Sequence, residues 1–271
     1  MTYPQIGAFA RLADGNAPKT RSIAGQTSKL GRDAHDVFYD EVNDEIVVAN
    51  AFAQAIMFYR GGADGDEPPI RVIQGPKTQI QMPGYGVYVD AVHNEVFLVE
   101  GRDRPGEEYI LVFPRTANGD VAPIRVIKGP DTMLKNARSM AVDSVRNLIA
   151  VTSNNGMLIF NRTDNGNVKP RAIIRGPGGN FRILESKGYI VSASGGGGGD
   201  AGDRVRGSVI RVWSITDNGN VPPLFELRNP NPGPGGGGNR VALNPKEKEV
   251  ILGGAGIPES VEIYSFPEIF D

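Results

Sequence analysis

The chain of 271 residues carries a formal net charge of −2, 39% hydrophobic residues and no cysteine. A balance this near neutrality is poor equipment for nucleic acid or an anionic membrane surface, so neither is an expected partner. The missing cysteines exclude disulfides, thiolate metal sites and a cysteine nucleophile, and no segment approaches the roughly 18 consecutive apolar residues that membrane insertion requires.

Taken in chain order, the elements form a series that repeats. GAFARLADGN (7–16) reads as a strand and its turn, and RSIAG (21–25) as a short strand. HDVFYD (35–40) and EIVVAN (45–50) are rich in β-branched and aromatic residues, which suit a pleated, half-buried surface. AIMFYR (55–60), the turn GADGDEP (62–68) and IRVIQG (70–75) follow, and YGVYVD (85–90) with EVFLVE (95–100) repeats the pair at 35–50. The clearest full copy lies at 109–152. It contains the strand YILVFPR (109–115), the turn TANGD (116–120), the alternating strand APIRVIKG (122–129), the loop PDTMLKN (130–136), ARSMAVD (137–143) and NLIAVT (147–152). Asn and Gly in such turns tolerate positive φ. MLIFNR (157–162), TDNGN (163–167), RAIIRG (171–176), NFRILES (180–186) and YIVSAS (189–194) make another copy. VIRVWSI (209–215), TDNGN (216–220), LFELRN (224–229), RVALN (240–244) and EVILGG (249–254) make the last, and VEIYSF (261–266) adds a final strand.

With Val37, Val87, Met140, Ile183 and Val241 as equivalent positions, the spacings are 50, 53, 43 and 58. A four-strand unit of about this length, repeated, signals a β-propeller. Residues 1–271 are therefore expected to form a single all-β domain, a five-bladed propeller of four-stranded antiparallel blades. The tail strand 261–266 duplicates the strand type at 7–16, so the N- and C-terminal segments are expected to pair in one blade and close the ring.

The segments Pro83-Gly84-Tyr85-Gly86-Val87-Tyr88-Val89-Asp90 and Glu45-Ile46-Val47-Val48-Ala49-Asn50 resemble the blade strands of NHL and related YncE-type propellers. The resemblance implies that the ARSMAVD-type strand is the innermost of each blade. We name the strands A to D outward from it. Blades four and five depart from the pattern, with Glu185-Ser186 and Asn244-Pro245 where Asp is expected. In this layout the A–B and C–D turns share one rim. The opposite rim carries the B–C and D–A loops, among them 101–108, 195–207, 230–238 and 255–260. Variable loops on a rigid scaffold are where binding usually resides.

The acidic turns fail the spacing of a calcium loop, because the twelfth positions after Asp14 and Asp164 are Gly25 and Arg175. The Gly runs 195–199 and 235–238 lack the lysine and helix of a phosphate loop. Asn161-Arg162-Thr163 is a glycosylation sequon. The two histidines, His35 and His93, fall on opposite rims, and no metal site or cofactor is expected. Aligning the A strands puts His35, Tyr85, Arg138, Phe181 and Asn239 at their first positions and Asp36, Gly86, Ser139, Arg182 and Arg240 at the next. If these strands line the axis, His35, Asp36, Tyr85, Arg138, Arg182, Asn239 and Arg240 ring the channel mouth and suit an anionic group, with Tyr85 and Phe181 as flat walls. The expected function is a non-catalytic module that binds a protein partner or a small anionic ligand, as a component of an extracellular or periplasmic assembly; a cytoplasmic location is the alternative. The competing reading is a lactonase- or lyase-type propeller enzyme using His35 and Asp36.

Overall fold

A computed structural model describes residues 4–31, 34–101, 106–194, 209–228, 240–253 and 261–271. The fold is all-β with almost no helix, a five-bladed β-propeller of small, mainly antiparallel sheets. Two compact units divide the chain, Met1–Val126 and Ile127–Asp271.

In the first unit β1 (Gln5–Ala8) and β2 (Arg21–Ala24) form a two-stranded sheet. Blade one follows as β3 (Ala34–Asp40), β4 (Glu45–Asn50), β5 (Ala55–Arg60) and β6 (Arg71–Gln74) in that order. Blade two repeats it with β7 (Pro83–Asp90), β8 (Glu95–Glu100), β9 (Tyr109–Pro114) and β10 (Arg125–Lys128). Every residue of β4 and β8 is buried, which is why these strands read as continuous apolar runs rather than alternations. A strand with both faces covered has no solvent side to mark. Val47, Phe58, Leu98, Leu111 and Phe113, each fully buried, make the centre of one cluster, and Ile23, Met57 and Tyr59 belong to another.

The second unit holds β11 (Met140–Asp143), β12 (Leu148–Ser153), β13 (Gly156–Asn161) and β14 (Ala172–Arg175) as blade three. Blade four contains β15 (Asn180–Leu184), β16 (Tyr189–Ser194), β17 (Val209–Ser214) and, after the two-residue β18 (Gly219–Asn220), β19 (Phe225–Arg228). β18 adds in parallel to the outer edge of β14. The last sheet is β20 (Arg240–Asn244), β21 (Glu249–Gly253) and β22 (Val261–Ser265), followed by the single turn α1 (Pro267–Phe270). Ile269 in that turn is fully buried in the cluster of Val191, Val212 and Leu252.

The A–B turns have four residues in every blade, and in blades one to three an Asp at the end of the A strand caps them. Asp40 accepts from the amides of Val42 and Asn43, both at 3.1 Å. Asp90 accepts from His93 N at 3.0 Å and meets its ring Nδ1 at 2.7 Å. Asp143 accepts from Arg146 N at 2.8 Å. The fourth turn position is left-handed at Asp44, Asn94 and Asn147, the residue types that adopt this conformation most cheaply.

The Asp-Gly and Asn-Gly character of the C–D turns has a further cause. The turns at Gly65, Gly119, Gly166 and Gly219 lie along the preceding short strands β2, β6, β10 and β14. Gly119 donates to Val72 O at 2.7 Å and accepts from Gln74 N at 3.1 Å, a short parallel bridge. On one side Asn118 Oδ1 accepts from Val72 N at 3.1 Å; on the other Asp120 Oδ1 accepts from Lys77 N at 2.7 Å. The same staple recurs with Asp64, Gly65 and Asp66 against residues 22–28, and with Asn218 against Ile173 N at 3.0 Å. Gly75 ends the D strand at φ +133, where a Cβ would come within 2.5 Å of the Asp120 carboxylate. The turn residues are thus acceptors for backbone amides of a neighbouring blade, a stronger reason for their recurrence than turn preference alone.

Candidate functional site

In the first unit, His35 and Tyr85 both fall in irregular stretches of A strands. The β3 ladder shifts between Ala34 and Asp36, and the β7 ladder between Pro83 and Val87. Such bulges re-aim the chain at a strand end. Asp36 Oδ1 accepts from Val37 N and its Oδ2 from Val87 N, each at 3.1 Å. The carboxylate therefore ties β3 to β7, a structural duty that the sequence did not assign to it.

In the second unit the ladders change the alignment of blade four. Leu184 pairs with Tyr189 as Asp143 pairs with Leu148 and Asn244 with Glu249. The residue equivalent to Met140 and Val241 is accordingly Phe181, not Ile183. The A–B turn is Glu185-Ser186-Lys187-Gly188, one residue longer than the sequence suggests, and Leu184 occupies the Asp position. Glu185 instead bonds back to blade three, accepting from Ser144 N at 3.1 Å and from the Ser144 hydroxyl.

Ser139, Asn180 and Arg240 consequently share one rung, and Arg182 lies two residues further along β15. Phe181 is fully buried, so it is a core residue and not a wall of the mouth. β15 lies beside β11 on one side and β20 on the other. Arg240 Nη1 donates to Asn180 Oδ1 at 3.0 Å, and Arg182 Nη1 donates to Phe181 O at 3.1 Å. Both arginines are half-buried. Arg138 is exposed, and its Nε donates to Asn136 Oδ1 at 3.1 Å. Ser139 is 1% exposed, and its hydroxyl has no hydrogen-bond partner among the described residues. Asn239 and most of the long loops, 102–105, 195–208, 229–239 and 254–260, lie outside the described residues.

A cleft of about 360 Å³ opens in the first unit between the B–C loop of blade one and its D–A loop. Ala53, Gln54, Gln74, Gly75, Pro76 and Ile80 line it. Two carboxamides brace the walls. Gln74 Nε2 donates to Ala53 O at 2.7 Å and Gln54 Nε2 to Gln81 O at 3.0 Å. Gln54 is held at φ +52, a conformation that costs a non-Gly residue energy and is often kept at functional sites. Phe52, in the same loop, is 66% exposed.

The charged clusters elsewhere bind strands together. Glu45 accepts from both terminal nitrogens of Arg71, at 2.7 and 2.8 Å, and from Arg115 Nη1 at 3.1 Å. Burial pushes its carboxyl up, but Arg71 and Arg115 outweigh that and hold it below the ordinary carboxylate range. Arg71 also lies over the Phe58 ring, 4.3 Å from its centroid. Blade two repeats the device with Arg125 on Glu95 at 2.8 and 2.7 Å.

The cleft residues were missed in the sequence, although a signal runs through them. Gly-x-x-Ser/Thr-x-Leu/Ile recurs at Gly25–Leu30, Gly75–Ile80 and Gly129–Leu134. In each copy the hydroxyl donates to the Gly carbonyl, at 2.6, 2.6 and 2.7 Å. A shared D–A loop shape was therefore legible where only a loop was read. Among the described residues no group of three or more His, Asp or Glu side chains converges to hold a metal ion. No family model and no curated protein matches the chain.

Proposed function

We propose that this propeller is a non-catalytic binding module of NHL/YncE type that takes its ligand on the rim carrying the B–C and D–A loops. The observation that carries the reading is the braced cleft at Gln54 and Gln74 with exposed Phe52 beside it. Its volume of about 360 Å³ falls in the range of small-ligand sites. On the other rim, Asp40, Asp90 and Asp143 cap their own turns. The C–D turns are likewise engaged in stapling blades. Polar groups committed in this way make a poor recognition surface. The occupant is a protein partner or a small anionic ligand, and the compartment proposed with it is extracellular or periplasmic.

The test is a thermal-shift screen of small molecules and peptides, followed by amide-exchange mapping of any hit. Protection at residues 51–54 and 74–80 supports the reading. Protection confined to the A–B turns around Val42, Val92 and Val145 removes it. Fractionation of the source cells tests the compartment.

A further inference from the structure

We propose that Arg138, fixed by a relay of two asparagines on the B–C and D–A rim of blade three, anchors a carboxylate group. The proposal rests on the reading of that rim as the binding side and adds the chemistry of one subsite. Arg138 lies just before β11, and its backbone extends the ladder with β12. Its N–H donates to Thr152 O at 3.4 Å, and Thr152 N donates to Ser139 O at 2.9 Å. The side chain is held as well. Arg138 Nε donates to Asn136 Oδ1 at 3.1 Å, and Asn136 Nδ2 donates to Asn154 Oδ1 at 2.9 Å. Asn154 N in turn donates to Lys135 O at 2.8 Å. The bonds thus run from the D–A loop to the B–C turn and back. A guanidinium tied at Nε has its plane set before a ligand arrives, which reduces the entropy lost on binding.

The relay leaves a surplus of donors. Asn136 Oδ1 and Asn154 Oδ1 each accept a bond within it. Arg138 Nη1 and Nη2 and Asn154 Nδ2 have no partner among the described residues. An ionised carboxylate offers only acceptors, so it complements such a surface. The local charge has the matching sign. Lys135 is exposed in the same D–A loop, and the acid of that loop, Asp131, already accepts from Asn167 Nδ2 at 3.2 Å. The form of the grip occurs twice elsewhere in this chain. Arg71 holds Glu45, and Arg125 holds Glu95, each through its two terminal nitrogens at 2.7 and 2.8 Å. In Arg138 the same pair of nitrogens is left for a two-point bond to an acid group. Arg138 is exposed, so solvent screens its pull and the site is weak and salt-dependent.

The anchor is tested by NMR titration of the full chain at low salt. The carboxylate probes are succinate and a peptide ending in two glutamates; neutral succinamide and inorganic phosphate are the comparisons. Saturable binding of at least one carboxylate is expected, with the Arg138 Nε–H signal among those that shift. Arg138→Ala should weaken it about fivefold. Arg138→Lys, which keeps the charge and loses the fork, should fall between. Asn136→Gly keeps the left-handed backbone at φ 57 and removes the orienting oxygen, so it should weaken binding as well. Lys169→Ala, an exposed change elsewhere, should leave binding unaltered. Binding of the peptide alone assigns the acid to a partner protein, and binding of succinate assigns it to a small molecule; both support the anchor. It is overturned by no binding of either carboxylate, by undiminished binding in Arg138→Ala or Asn136→Gly, or by succinamide or phosphate bound as well as the carboxylates. A hit that maps to the Gln54–Gln74 cleft and is indifferent to Arg138 sinks the anchor and leaves the wider reading standing. A hit confined to the A–B turns sinks both.

Discussion

Glu45 shows how much a single side chain can hold in a fold of short strands. It starts β4, while Arg71 starts β6 and Arg115 follows β9 in the next blade. Its carboxylate thus joins three strands of two sheets through the bonds at 2.7, 2.8 and 3.1 Å. The group is only 10% exposed and its partners 17% and 13%, so removing it strands two partly desolvated guanidiniums. Glu45→Gln is expected to cost about 3 kcal/mol, the cost of breaking one side of a buried pair. The pH dependence has a definite sign. A carboxyl whose folded pKa is depressed contributes fully above its unfolded value near about 4.3, and that contribution is lost as pH falls through the lower folded value. Denaturant melts should therefore show a shallower loss of stability on acidification in Glu45→Gln than in the unmodified protein. Identical acid limbs would show that Glu45 is not linked to folding. The residue types at 45, 71 and 115 were legible in the sequence, but the pairing was not, because it depends on which strands become neighbours.

At the scale of the element, the staple makes a sharper statement than the strand. Among the described residues Asn118 acts as an acceptor, through Oδ1, for Val72 N. Asn118→Ala is expected to lower stability by about 1 kcal/mol, the net worth of one such bond. Asn118→Asp should stay within about 0.5 kcal/mol of the original, since Asp64 performs the same bond on Ser22 N at 2.8 Å. Urea melts of the two variants check this, and an Asn118→Ala protein as stable as the original would show that the bond to Val72 N contributes nothing. The C-terminal turn supplies another case. Ile269 is fully buried among the side chains of blades four and five, so Ile269→Ala is expected to cost about 2–4 kcal/mol, read as a drop in the urea midpoint at constant slope. No hydrophobic period announces such a residue, because a single helical turn is too short to carry one. The strands themselves were plain in the sequence, since four per copy recur with the same turn chemistry. The slip in blade four has an equally physical origin. Leu184 stands where blades one to three have a capping Asp, and without that landmark a strand that alternates polar and apolar residues (Asn180, Phe181, Arg182, Ile183) offers two registers that look equally good. The slip carried Arg182 into the place of Asn180 and moved Phe181 from the core to the mouth.

For the molecule as a whole, the question is whether the two compact units are domains. Length and repetition argue for a single domain, because each blade can bury its faces only against its neighbours. We propose a single domain from the place of the boundary. It falls between Val126 and Ile127, inside β10, which spans Arg125–Lys128 and is the outer strand of blade two. Domain boundaries normally run through exposed linkers that few contacts cross. Here Ile127 is fully buried and forms a parallel bridge with Gly166, and Lys128 N bonds to Gly166 O at 3.1 Å. A chain cut at this point leaves blade two without the half of its outer strand that carries the buried Ile127. We therefore expect that neither 1–126 nor 127–271, expressed alone, gives a sigmoidal thermal or urea transition. Limited proteolysis of the intact chain should likewise spare residues 125–128 and cut first elsewhere. Cooperative unfolding of both isolated fragments, with midpoints near that of the full chain, would make them two domains and defeat the single-domain reading, since a strand divided between two independently stable bodies has no reason to be buried at its centre.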